Sequence, residues 1–371
     1  MSNFDDIRAY QDHEVSSVLT SLLNDGDFLS FIAQQAHPKL HQFLPFLVKK
    51  NLQKKLKKQF EGINDVANWQ KTIAPFVQSI IDQTIDTFSV KGIENLEKDK
   101  TYLFMSNHRD IAMDPMLVNY ALLSSGFATS KVAIGDNLLG RPFVAKLMRL
   151  NKSFVVKRSI SARREKLEAV QTLSSYVHES IKQNHSIWIA QKEGRAKDNC
   201  DKTDTAVLKM LHLAGRKLGW EFKDSMKFLN IVPVSISYEW DPCDIDKANE
   251  ITMVEKNKVY EKTKDEDFQT IIKGLKGHKG NVTIEFSAPL NLESNQAEDW
   301  ANKIDEQIYN GYEIFENNVL AHELLTEDAT SNSPIFDQWS QRFSDVLKHD
   351  SYSQLIKNYA EPVRKKYNDV G

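Results

Sequence analysis

Between about residue 88 and residue 290, short apolar runs alternate with longer segments of helical period. The runs are Phe88-Ser89-Val90-Lys91-Gly92, Tyr102–Met105, Lys131–Ile134, Phe154–Lys157, Ile187–Ala190, Phe228–Tyr238 and Asn281–Phe286. Runs this short, bounded by turn residues, predict strands. Between them, Leu167, Val170, Leu173, Val177 and Ile181 mark one helix face, with Ser161 as its start. A second helix is expected over Thr205–Leu218, burying Leu208, Leu211, Leu213 and Leu218. Pro233 cannot donate to a ladder, so it predicts an edge, a bulge or a strand start. Strands separated by helices define an α/β class, here a central mixed sheet flanked by helices. Helical regions are expected at both ends, giving three parts: 1–85, 86–292 and 293–371. The polar stretch from Thr326 to Pro334 predicts a loop between the C-terminal helices.

The composition, 41% hydrophobic and 27% charged, is ordinary for a globular chain. A net charge of -3 removes the bulk electrostatic case for nucleic acid as a partner. Two cysteines, Cys200 and Cys243, are too few for a disulfide framework, which fits a reduced, cytoplasmic setting. The acidic N-terminus has no apolar core, so no secretory signal is expected. No window approaches the length of a membrane span. Residues 46–60 are different. Val48, Leu52, Leu56 and Phe60 form one apolar stripe, and six lysines fill much of the rest. This is a basic amphipathic helix with three readings: a core-packed helix with solvated lysines, a peripheral contact on anionic membrane at its inner face, or a contact with an acidic macromolecule.

In α/β sheets, chemistry gathers in the loops beyond strand ends. The run ending at Met105 leads into Ser106-Asn107-His108-Arg109-Asp110-Ile111-Ala112-Met113-Asp114-Pro115, and a helix follows. A histidine with nearby carboxylates at a strand-to-helix turn suits acid–base chemistry on a hydroxyl. Asp114 falls in the first helical turn, where the chain could fold back onto His108. Asp110 is the alternative partner, or caps the helix. His178, His185 and His322 read as structural. Two more strand ends carry Lys157-Arg158 and Glu193-Gly194-Arg195-Ala196-Lys197. Arginine forks suit phosphate, and Gly194 permits close approach or a positive φ. The chain lacks a Gly-x-Ser-x-Gly elbow, a Walker loop, His-Glu-x-x-His and paired Cys-x-x-Cys. No covalent nucleophile, metal site or bound cofactor is expected.

Four segments in this order resemble the motif blocks of the phospholipid/glycerol acyltransferase superfamily. Asn107-His108 with Asp114 is similar to its His-x4-Asp block. Gly140-Arg141-Pro142-Phe143 through Val156-Lys157-Arg158 resembles the second block, and Lys192-Glu193-Gly194-Arg195 the third. Val232-Pro233-Val234-Ser235-Ile236-Ser237-Tyr238-Glu239 resembles the fourth, its Tyr-Glu ending leaning toward glycerol-3-phosphate acyltransferases. Two positions depart from the pattern. Five residues separate His108 from Asp114, with Met113 in the usual aspartate place, and Gln191-Lys192 replaces Phe-Pro. The resemblance implies direct acyl transfer. His108, oriented by Asp114 or Asp110, activates the hydroxyl of glycerol-3-phosphate or lysophosphatidate. Arg158, Glu193, Gly194 and Arg195 hold the acceptor phosphate, and acyl-CoA or acyl-carrier protein is the co-substrate. A non-catalytic phospholipid-binding protein and a thioester or phosphoester hydrolase are the alternatives.

Overall fold

The computed structural model describes residues 4–36, 42–256, 259–263, 265–326 and 333–368. Among them lie seven strands: β1 Thr87–Lys91, β2 Leu103–Ser106, β3 Lys131–Gly135, β4 Ser153–Val156, β5 Ile187–Ala190, β6 Ile231–Tyr238 and β7 Asn281–Phe286. The chain divides into two compact units, residues 1–76 with 131–173 and residues 77–130 with 174–371.

In the larger unit the strands run β1-β7-β6-β2-β5. β2 is parallel to both β5 and β6, and β1 is parallel to β7, while β6 and β7 are antiparallel. The sheet is therefore mixed. Every residue of β2 is buried, as is all of β6 before Tyr238, which explains their nearly unbroken apolar sequences. Helices Met113–Ser124, Thr205–Lys217 and Ala297–Asn310 bury Leu117, Leu208, Leu211, Trp300 and Ile304. Each such side chain contributes on the order of 2 kcal/mol when removed from water. A second core follows β6, where Trp240, Trp339, Phe343 and Tyr359 meet edge to face, with ring centroids 4.7 Å apart for Trp339–Phe343. Helix Tyr352–Asn368 thereby anchors to the chain leaving the sheet.

The smaller unit has helices Asp12–Leu23, Gly26–Ala36 and Pro45–Phe60, and the parallel pair β3 and β4 joined across helix Pro142–Leu150. Phe143 is buried there against Phe28 and Phe31. In the lysine-rich helix Val48 and Leu56 are buried, and Phe60 meets Trp69 edge-on. The apolar stripe thus packs inward. Four other side chains near its start, Phe43, Leu44, Phe46 and Leu47, are 77%, 48%, 73% and 52% exposed.

Four details differ from the sequence reading. The run Phe228–Tyr238 begins three residues late, because Phe228 and Leu229 close helix Phe222–Leu229 and Asn230 takes a left-handed φ of 51°. Pro233 sits in a central strand, opposite Met105 in the β2 register. Its nitrogen is tolerated because pairing with β7 ends at Val234↔Phe286; Ser287 N donates to Pro233 O just beyond. Leu218 is 66% exposed, since the helix stops at Lys217 and Gly219 turns away with φ 79°. Leu167 is 54% exposed because helix Arg163–Lys182 starts in a charged run that projects into solvent. Residues 327–332, the centre of the expected C-terminal loop, lie outside the described residues.

Candidate active site

The site is built where β2 ends. Asn107 extends the sheet with its side chain: Nδ2 donates to Ile236 O at 2.9 Å, and Oδ1 accepts from Ile236 N at 2.8 Å. The amide replaces one rung of main-chain ladder and frees the backbone to turn at His108. The His108 ring lies edge-on to Trp188 of β5, centroids 5.5 Å apart. Its side chain is 15% exposed, so one edge remains reachable.

Helix Met113–Ser124 carries Asp114 in its first turn, with no exposed surface. Asp114 Oδ2 lies 2.7 Å from His108 Nδ1 and accepts from Arg109 N at 2.6 Å and Asp110 N at 3.0 Å. Tyr238 OH donates to Oδ1 at 2.8 Å. A carboxylate can only accept, so Nδ1 carries the proton and Nε2 presents its lone pair. The additional residue between His108 and Asp114 is absorbed by the turn, whose two peptide N–H groups both point to Asp114.

Asp110 does not face the imidazole. Its Oδ1 caps the helix, accepting from Ala112 N and Met113 N at 2.9 Å each. Its Oδ2 is buried without a hydrogen bond and lies against Gly274 of helix Glu266–Lys276. Burial, then the nearby Asp114 charge, push the Asp110 carboxyl above its usual range.

The loop after β5 is tied to the same turn. Gln191 N donates to Ser106 O, and Ala196 N donates to His108 O, each at 2.9 Å. Gly194 has φ 78°, a left-handed conformation that needs glycine. Arg195 is half-buried and makes no hydrogen bond or ion pair among the described residues; the Asp241 charge faces it. Glu193 is exposed. Arg158 belongs to the smaller unit, where it is exposed and its guanidinium lies over Gly135. His178 is structural as expected, bonding Leu211 O at 2.8 Å and stacking on Phe228.

The sequence did not single out Arg109, Asp201 or Lys247. Arg109 is buried and pairs with Asp201, whose carboxylate also accepts from Tyr312 OH. Lys247 Nζ, likewise buried, donates to Arg109 O at 2.7 Å and pairs with Asp241. The Arg109 peptide N–H, its carbonyl and both terminal guanidinium nitrogens are therefore committed, to Asp114, Lys247 and Asp201. Only the charged character of these side chains was visible beforehand; their pairing depends on the tertiary fold.

Together these features place an oriented histidine–aspartate pair at the strand ends of a mixed α/β sheet, with an arginine in the adjoining loop that makes no hydrogen bond or ion pair among the described residues. Residues 87–237 match the Acyltransferase family model. No curated protein matches the chain. Among solved structures, the 1-acyl-sn-glycerophosphate (LPA) acyltransferase PlsC from Thermotoga maritima is similar at 15% identity and TM-score 0.39. The likeness covers 76% of this chain and 95% of that one.

Proposed function

We propose that the protein is an O-acyltransferase that moves an acyl group from a thioester to a hydroxyl of glycerol-3-phosphate or lysophosphatidate. The observation that carries this reading is the 2.7 Å His108–Asp114 pair, with Nε2 left as the base. Nε2 takes the acceptor hydroxyl proton as the oxygen attacks the thioester carbonyl. Collapse of the tetrahedral intermediate expels the thiolate, which recovers that proton from the imidazolium. Arg195 binds the acceptor phosphate, since its donors are uncommitted and its loop is bonded to the His108 carbonyl. Gly194 gives that loop its turn, and Glu193 bonds an acceptor hydroxyl. The donor is acyl-CoA or acyl-carrier protein.

Lipid substrate also calls for contact with a membrane. No helix among the described residues is long and apolar enough to cross one. Support for peripheral docking comes from the exposed Phe43, Leu44, Phe46 and Leu47 on the same segment as the exposed Lys50, Lys54, Lys55, Lys57 and Lys58, which make no ion pair among the described residues.

The test crosses both acceptors with both thioester donors and identifies products. Acylated glycerol phosphate formed only with a thioester supports the reading. Free fatty acid in place of acylated acceptor identifies a hydrolase, and vesicle binding without turnover on any donor identifies a lipid-binding protein.

A further inference from the structure

Asp114 receives four donors. Three of them, His108 Nδ1, Arg109 N and Asp110 N, converge on Oδ2 and belong to its own turn. The fourth, Tyr238 OH, reaches Oδ1 from the end of β6. β6 is held on both sides, by β2 and by β7, and Tyr238 itself pairs with Val282. The phenol therefore stands on a rigid frame independent of the turn it contacts. It is the sole bond to Oδ1 among the described residues, and Asp114 has no solvent contact to replace it.

We propose that Tyr238 is a positioning residue for the His108–Asp114 pair. Its hydroxyl fixes the Asp114 rotamer that faces Nδ1 and draws charge from the carboxylate, weakening its hold on an imidazolium. The groups facing the phenol are Asp114, Asp110 and Asp241, all acidic, and burial with these charges raises its titration well above the usual tyrosine range. The hydroxyl thus stays protonated and remains a donor at any pH at which the protein works. This proposal rests on His108 being the base, and its test separates the two.

The experiment compares wild type with Tyr238→Phe, which keeps the ring and removes only the oxygen. The His108 imidazole is titrated by NMR, and kcat and KM are measured on the best acceptor. Without the phenol, the carboxylate holds more charge and favours imidazolium. The titration should move to higher pH by roughly half a unit to one unit, the size of one net hydrogen bond. We expect kcat to fall about 5- to 20-fold with the acceptor KM within about twofold, since an Asp114 rotamer no longer fixed by the phenol leaves the imidazole misoriented for the transition state. In an Asp114→Asn background the same change should not move the titration. An unmoved titration in Tyr238→Phe overturns the proposal whatever the activity does. A moved titration in a protein with no acyl transfer leaves Tyr238 in place and removes the activity reading.

Discussion

At the scale of single residues, the two aspartates near His108 have separate tasks. Asp114 is the group that can fix the imidazole tautomer, and Asp110 holds the start of the helix that carries Asp114. Asparagine caps helices about as well as aspartate. Asp110→Asn should therefore retain activity within about fivefold. Asp114→Asn offers Nδ1 an amide in place of a charge and should lower kcat by about 100-fold or more. Steady-state kinetics on both variants decide this, and the reverse order would move the partner to Asp110. The sequence made His108 legible through its place after an apolar run. It left the partner open because spacing alone does not say whether a turn closes over five residues. The answer came from the two peptide N–H groups that share Asp114 Oδ2.

At the scale of elements, the turn that carries His108 is held by pieces distant in sequence. Helix Glu266–Lys276 approaches so closely that a Cβ on Gly274 would lie 2.0 Å from Asp110 Oδ2. Gly274→Ala must push the helix or the cap aside, at a cost of about 1–3 kcal/mol. Denaturant unfolding should show that loss, with a drop in kcat as the turn shifts; unchanged stability would contradict the packing described. Lys279, also buried, bonds Gly277 O at 2.7 Å, and burial lowers its titration to about 8. An unfolded lysine titrates near 10.4, so the unfolded chain binds more protons between these values. Lys279 therefore costs stability fully below about pH 8, and that cost fades as pH rises toward about 10. Lys279→Met should lack this gain. Superimposable curves of stability against pH for the two proteins would refute it. Neither contact was legible in the sequence, since a glycine in a helix and a lysine beside a strand have many ordinary uses.

At the scale of the whole molecule, alternation of apolar and helical segments was enough to place all seven strands. What it missed were points where a single backbone conformation decides: Asn230 ending a helix early, Gly219 turning Leu218 outward, and Pro233 sitting where β7 pairing stops. The lysine-rich helix packs its apolar stripe inward and leaves five of its six lysines exposed, on the same segment as four exposed apolar side chains. Changing Lys54 and Lys55 together to Glu should weaken binding to anionic vesicles at low salt and leave folding intact. Added salt should weaken wild-type binding too, since the Debye length shrinks from about 30 Å at 0.01 M to about 8 Å at 0.15 M. Vesicle binding unaffected by the double change would place the docking surface elsewhere. The proposed chemistry turns on activation of the acceptor hydroxyl by His108. The most direct measurement is thioester-dependent acylation of glycerol-3-phosphate and lysophosphatidate by wild type and His108→Ala, with both proteins shown to be folded. Acylated product is expected from the wild type, with a rate at least about 100-fold lower from the variant. Equal rates would contradict it.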